Sequence, residues 1–124
     1  MDNKNFIVLN DLESWNQYYE SDKCLILDFT ASWCKPCKII SPVFELLSEK
    51  YKDITFIKVD VDDHQDLCAQ RNIRCMPTFE FVKNKEIIYS IQGVDIEKLI
   101  NLSKNFNKLY NENHIENYNE EKTK

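Results

Sequence analysis

A single glycine, Gly93, and three prolines punctuate the whole chain of 124 residues. So little backbone punctuation leaves no Gly/Ser linker to divide it, and no segment repeats. Runs of Lys or Arg are also missing. Together with a net charge of −5, their absence argues against nucleic acid or an anionic membrane as the main partner. No apolar run approaches the roughly 18 residues that a membrane span needs. The first residues, Met1-Asp2-Asn3-Lys4-Asn5, are polar, and only Phe6 to Leu9 are apolar before polar residues resume. That pattern contains no signal-peptide core. The expectation is a soluble protein of the cytoplasm. An even cysteine count, the mark of a small secreted disulfide scaffold, is missing too: there are five. In a reducing compartment, cysteines persist as buried small hydrophobes or as reactive and metal-binding groups, so each is weighed alone.

What is present suits one α/β domain. Hydrophobic residues make up 43% of the chain, enough to build a core without staples. Phe6 to Leu9 reads as a short strand, followed by Asn10 or Asp11 as an N-cap and by Leu12, Trp15, Tyr18 and Tyr19 at helical spacing. Cys24 to Phe29 is nearly continuous apolar sequence, the pattern of a strand buried on both faces. A helix beginning near Cys34 carries Ile40, Val43, Phe44, Leu47 and Tyr51 as one stripe, with Pro42 inside it. Ile54 to Val59 is a second strand, and strand–helix–strand makes a right-handed parallel unit. His64 to Arg71 reads as a short helix. Thr78 to Val82 and Ile87 to Ile91 flank a hairpin turn in which Asn84 is the residue suited to positive φ. Asp95 caps a last helix with Ile96, Leu99, Ile100 and Phe106 inward. The domain therefore spans residues 1–110, and residues 111–124 form a polar tail expected to be disordered.

The chemistry concentrates at Trp33-Cys34-Lys35-Pro36-Cys37. A thiol reacts as its thiolate, and Cys34 stands where a strand meets a helix, facing the unpaired N–H groups and positive dipole end of that helix. Pro36 fits the first helical turn, where a missing N–H costs nothing. Cys37 lies one turn on, close enough to pair with Cys34. The division of labour that follows has Cys34 attacking a disulfide and a deeper Cys37 resolving the mixed disulfide. A structural zinc would need a second pair of ligands. Cys24, Cys68, Cys75, His64 and His114 offer none at suitable spacing, so no metal is expected.

Three more residues bear on the pair. Asp28 interrupts the apolar strand: either a buried carboxyl with raised pKa that relays a proton to or from Cys37, or a strand-end carboxyl in solvent. Lys58 interrupts the neighbouring strand, either as the partner of Asp28 or facing outward. Pro77, after Met76, is a candidate for a cis peptide bond beside the site, with an ordinary trans turn as the alternative.

Together these residues resemble the thioredoxin family. Asp28 to Lys38 is similar to its active-site segment, Pro42 to its helix-kinking proline, and Phe56 to Asp62 to its third strand. Met76-Pro77-Thr78-Phe79 is similar to its cis-proline loop, and Gly93 to the glycine lining its substrate groove. The resemblance runs from about residue 6 to residue 108. It implies the thioredoxin fold, a central mixed sheet with helices on both faces. It also implies Cys34 as nucleophile, Cys37 as resolving thiol and Asp28 as buried acid/base, with Lys58 in support. Trp33, Lys35, Pro36, Met76, Pro77 and Gly93 would form the substrate surface. The implied function is reduction of protein disulfides, with recharging by an NADPH-dependent flavoprotein reductase and no bound cofactor. Two departures stand out, Lys35 and Lys85, where the family usually and often, respectively, has glycine. Arg74 to Phe79 is similar to the version in animal cytosolic thioredoxins, so Cys75 is either a regulatory thiol that links a monomer into a dimer on oxidation or a passive surface thiol. Cys24 and Cys68 read as core residues. The rival function is an adaptor that uses the same groove to bind one partner; Lys35 and the tail favour it slightly. The intact pair, Asp28 and Pro77 favour the reductase, and Pro36, where oxidising relatives usually carry His, argues for the reducing side.

Overall fold

Seven consecutive residues, Cys24–Thr30, are buried, and the rest of the molecule is arranged around them. The structure, a computed structural model, describes residues 3–122, with side chains as far as residue 111. In chain order the elements are β1 (Phe6–Val8), α1 (Leu12–Ser21), β2 (Cys24–Thr30), α2 (Lys35–Lys50) and β3 (Thr55–Asp60). There follow α3 (Gln65–Gln70), β4 (Thr78–Lys83), β5 (Glu86–Gln92) and α4 (Ile96–Lys122). The strands form one sheet in the order β1-β3-β2-β4-β5. The first three are mutually parallel, while β4 and β5 run antiparallel to their neighbours.

Both faces of β2 are covered because its side chains alternate between two cores. On one face, Ile40, Phe44 and Leu47 of α2 and Leu99 and Phe106 of α4 pack on the sheet. Phe44 meets Phe56 and Phe79 at centroid separations of 5.3 and 5.7 Å, and each such buried ring contributes roughly 1.5–3 kcal/mol. On the other face, Trp15 of α1 and Leu67 and Cys68 of α3 pack on Leu25, Leu27 and Phe29. The mixed sheet flanked on both sides is the expected class.

Local signals set most boundaries. Asp11 is the N-cap of α1, its Oδ1 accepting from Ser14 N at 2.7 Å, and Asp95 does the same for Lys98 N at 3.0 Å. Pro42 lies inside α2. Asn5 closes the other end of that helix, its Nδ2 donating to the carbonyls of Ser48, Tyr51 and Ile54 at 2.8, 3.1 and 2.9 Å.

Three expectations change. Both Asn84 (φ 51°) and Lys85 (φ 69°) take positive φ, since a two-residue type I′ turn requires it at both central positions. The Tyr19 hydroxyl holds Lys85 by donating to its carbonyl at 3.1 Å, and Glu20 pairs with its ammonium. Ile96 and Ile100 are exposed, because the face of α4 that meets the sheet carries Leu99, Ser103 and Phe106, with Leu102 and Tyr110 packed partly against it. The tail from Asn111 continues α4 as helix to Lys122, across the boundary drawn at residue 110. Extending an existing helix avoids the cost of nucleating one. Met1, Asp2, Thr123, Lys124 and the side chain of His114 lie outside the described residues.

Candidate active site

The chain leaves β2, turns through Ala31-Ser32-Trp33 and enters α2 with Cys34 as its N-cap. The turn is closed by Cys34 N donating to Ala31 O at 3.1 Å. Cys34 and Cys37 form a disulfide with their Cα atoms 5.3 Å apart. Cys34 Sγ accepts from Cys37 N at 3.2 Å and lies 3.8 Å from the carbonyl oxygen of Met76. A sulfur that caps a helix N-terminus in this way has its negative charge stabilised when the disulfide opens. The two cysteines differ little in exposure, with Cys34 5% and Cys37 3% exposed. What separates them is direction. Cys34 faces the Met76–Pro77 loop, whereas Cys37 borders a cleft of about 350 Å³ shared with Lys38, Ser41, Lys58 and Asp60.

Asp28 is 1% exposed, on the sheet face that α2 and α4 cover, so the solvent-facing alternative falls away. Its register partners are Lys58 on β3 and Phe79 on β4. Burial pushes the carboxyl up to about 7, opposed by the positive charge of Lys58. Oδ1 has no hydrogen-bond partner, so Lys58 acts through space rather than by direct contact. Lys58 therefore faces Asp28 and the cleft beside Cys37.

The Met76–Pro77 peptide bond is cis, as one of the two sequence readings had it. Gly93 joins that loop, its N–H donating to Pro77 O at 2.8 Å from a backbone with φ 86°, a conformation that favours glycine. Trp33, Lys35 and Pro36 are exposed around the pair. The Trp33 indole Nε1 donates to Asp62 Oδ2 at 2.9 Å. The sequence signal for Asp62 is the acidic run Asp60-Val61-Asp62-Asp63 that ends β3 and follows it. Cys75 is exposed, and its carbonyl accepts from Thr78 Oγ1 at 2.6 Å. Cys24 and Cys68 are buried free thiols pushed upward in pKa by burial, Cys68 to about 11. They belong to the core rather than to the site.

Comparison with known proteins agrees with this geometry. A family model described as thioredoxin matches residues 6–106. Human thioredoxin is 41% identical over 97 residues, which cover 74% of this chain and 92% of that one. The solved thioredoxin of Malassezia sympodialis superposes with a TM-score of 0.77 at 36% identity, covering 82% of this chain and 90% of the other. That of Plasmodium falciparum gives 0.76 at 33% identity, covering 79% and 96%. Disulfide-containing substrates and a reductase partner follow for such a protein in general. With a matched family over most of its length and a disulfide at the helix N-terminus, the chain belongs to the thioredoxin family and is a thiol–disulfide oxidoreductase working through Cys34 and Cys37.

Proposed function

We propose that the protein is a general protein-disulfide reductase in which Cys34 attacks, Cys37 resolves and Asp28 moves the proton. In the dithiol form the Cys34 thiolate attacks one sulfur of a substrate disulfide. A Cys34–substrate disulfide forms, and the other substrate sulfur leaves as a thiolate and takes up a proton. Cys37 then gives its proton to the Asp28 carboxylate and attacks Cys34 Sγ. The second substrate sulfur leaves as a thiolate and takes up a proton, and the Cys34–Cys37 disulfide holds the oxidising equivalents, two electrons having passed to the substrate. The observation that carries this reading is the cleft that Cys37 shares with Lys58, the residue opposite Asp28 in the sheet. A carboxyl at about 7 is poised between acid and base near neutrality.

Pro36 and the absence of histidine in that turn support the reducing direction, with recharging by an NADPH-dependent flavoprotein reductase. The free thiols Cys24, Cys68 and Cys75 suit a reducing compartment, the cytoplasm. The working state is a monomer, and a peroxide that takes two electrons from two exposed Cys75 thiols links it into a dimer. Turnover of insulin disulfides by NADPH and a thioredoxin reductase tests the reading. Cys34→Ser is expected to abolish it, and Cys37→Ser to accumulate mixed disulfides. Wild-type turnover by Cys37→Ser would overturn the assigned roles.

A further inference from the structure

The three most exposed large apolar side chains among the described residues are Trp33, Leu46 and Ile39, at 64%, 63% and 62%. All three lie within the segment that carries the redox pair, and two of them are on α2. At 3.6 residues per turn, Lys35, Ile39, Pro42 and Leu46 fall within about 60° of arc on α2. That arc faces away from the buried stripe of Ile40, Phe44 and Leu47. The helix thus has a second stripe, exposed along its length, with a cation at the Cys34 end and apolar residues behind it. Ordinary solvent-facing helix surface is polar, and burial in the domain core does not explain this one.

We infer that this stripe is a docking ridge for one class of disulfide substrate. Its occupant is an extended segment whose apolar residues lie along Ile39, Pro42 and Leu46 and whose carboxylate stands beside Lys35, next to the disulfide under attack. The inference rests on the reductase reading above and extends it to substrate choice. Two observations select this occupant. The stripe begins one residue from Cys34, whose sulfur a substrate disulfide must reach. Its positive charge sits at that end, and among the described residues Lys35 makes no salt bridge that a substrate carboxylate would have to displace. From Lys35 to Leu46 the helix rises about 17 Å, the span of five or six extended residues. An acidic, apolar segment of that length gains contact area and a charge pairing without moving the redox pair.

Three disulfide-bonded peptides test this. The first carries Leu and Ile along six residues with Glu beside the cysteine; the second has Lys in place of Glu; the third has Ser in place of both apolar residues. The reduced protein is expected to cleave the first about tenfold faster than the third, and severalfold faster than the second, the charge preference fading as salt rises. Ile39→Ser/Leu46→Ser is expected to cleave the first peptide at the rate of the third. Hydroxyethyl disulfide, too small to reach the stripe, separates the two readings. If it and all the peptides resist, the reductase reading fails. If it reacts and the wild-type protein cleaves all three peptides at one rate, only the ridge is overturned. Should the double variant lose hydroxyethyl disulfide reduction as well, Leu46→Ser alone, about two and a half helical turns past Cys37, decides: a slower rate on the first peptide supports the ridge, and an unchanged rate overturns it. A wild-type dimer in sedimentation that the double variant dissolves would assign the stripe to a second copy of the chain and overturn the proposal.

Discussion

Two carboxylates are buried one register step apart on adjacent strands, one on each face of the sheet, and they live in opposite circumstances. Asp28 on β2 faces α2 and α4, with Oδ1 unpartnered and Lys58 acting only through space. Glu80 on β4 faces α1 and α3, where Arg71 Nε donates to its Oε1 at 2.5 Å. The Arg71 guanidinium in turn lies 5.6 Å from the Trp15 ring centroid and 5.7 Å from that of Tyr19. Equal burial thus yields a carboxyl free to exchange a proton on one face and a fixed ion pair on the other. The difference lies in the partner. A carboxylate hydrogen-bonded to a cation has its charge compensated, whereas one left alone is pushed toward its neutral form.

The sharpest way to break the comparison is to give Glu80 the circumstances of Asp28. Arg71→Ala strands a buried charge and is expected to destabilise the protein by about 3–5 kcal/mol in urea unfolding at pH 7. Disulfide reduction by the molecules that remain folded should be unchanged. Arg71→Met combined with Glu80→Leu should recover most of the loss, since an apolar pair of similar volume replaces a buried ion pair well. A loss below about 1 kcal/mol for Arg71→Ala would show that Glu80 is compensated some other way.

Removing the charge of Asp28 should do the reverse. Its folded pKa lies above the unfolded value, so the native state binds the extra proton and loses stability as pH rises from about 4 to about 7. Asp28→Asn is therefore expected to stabilise the protein by on the order of 2–4 kcal/mol at pH 8, with the gain vanishing below about pH 4. The same variant should slow disulfide exchange near neutral pH. Lys58→Met, which removes the cation opposing the shift, should move the Asp28 titration further up, read by carboxyl NMR. Equal stability of wild type and Asp28→Asn at pH 8 would contradict an uncompensated buried carboxyl.

Lys35 extends the comparison to an exposed charge, where water and salt do most of the compensating. Lys35→Gly is expected to raise the Cys34 thiol titration by only a few tenths of a pH unit. It should also make the redox potential more negative by about 30 mV at most. Both changes should shrink as ionic strength rises. A shift of opposite sign would remove the electrostatic role of Lys35.

Sequence patterns exposed one carboxylate and hid the other. Asp28 stands out because a charged residue breaks an otherwise apolar strand five residues before Trp33. Glu80 breaks β4 in the same manner, yet the residue that compensates it, Arg71, lies nine positions away on the end of another element. No spacing rule joins them. The same holds for Asp62, which reaches Trp33 across 29 residues, and for Asn5, which reaches α2 across more than 40. The hairpin shows the limit on a shorter scale. Asn84 was legible as a residue tolerant of positive φ, but Lys85 follows it there only because the turn geometry and the contacts of Tyr19 and Glu20 hold it.

By itself, the sequence determined whatever depends on neighbours along the chain. It placed the strands and helices, the Cys34 cap, the proline in the first turn of α2 and the apolar faces. Tertiary structure alone decided which buried charges have partners, that Lys58 faces Asp28, and that Cys37 borders a cleft. The physical reason is one of range. Helical and strand periodicity and capping act over a few residues, whereas desolvation and charge pairing depend on whichever groups the packed sheet brings within a few ångströms.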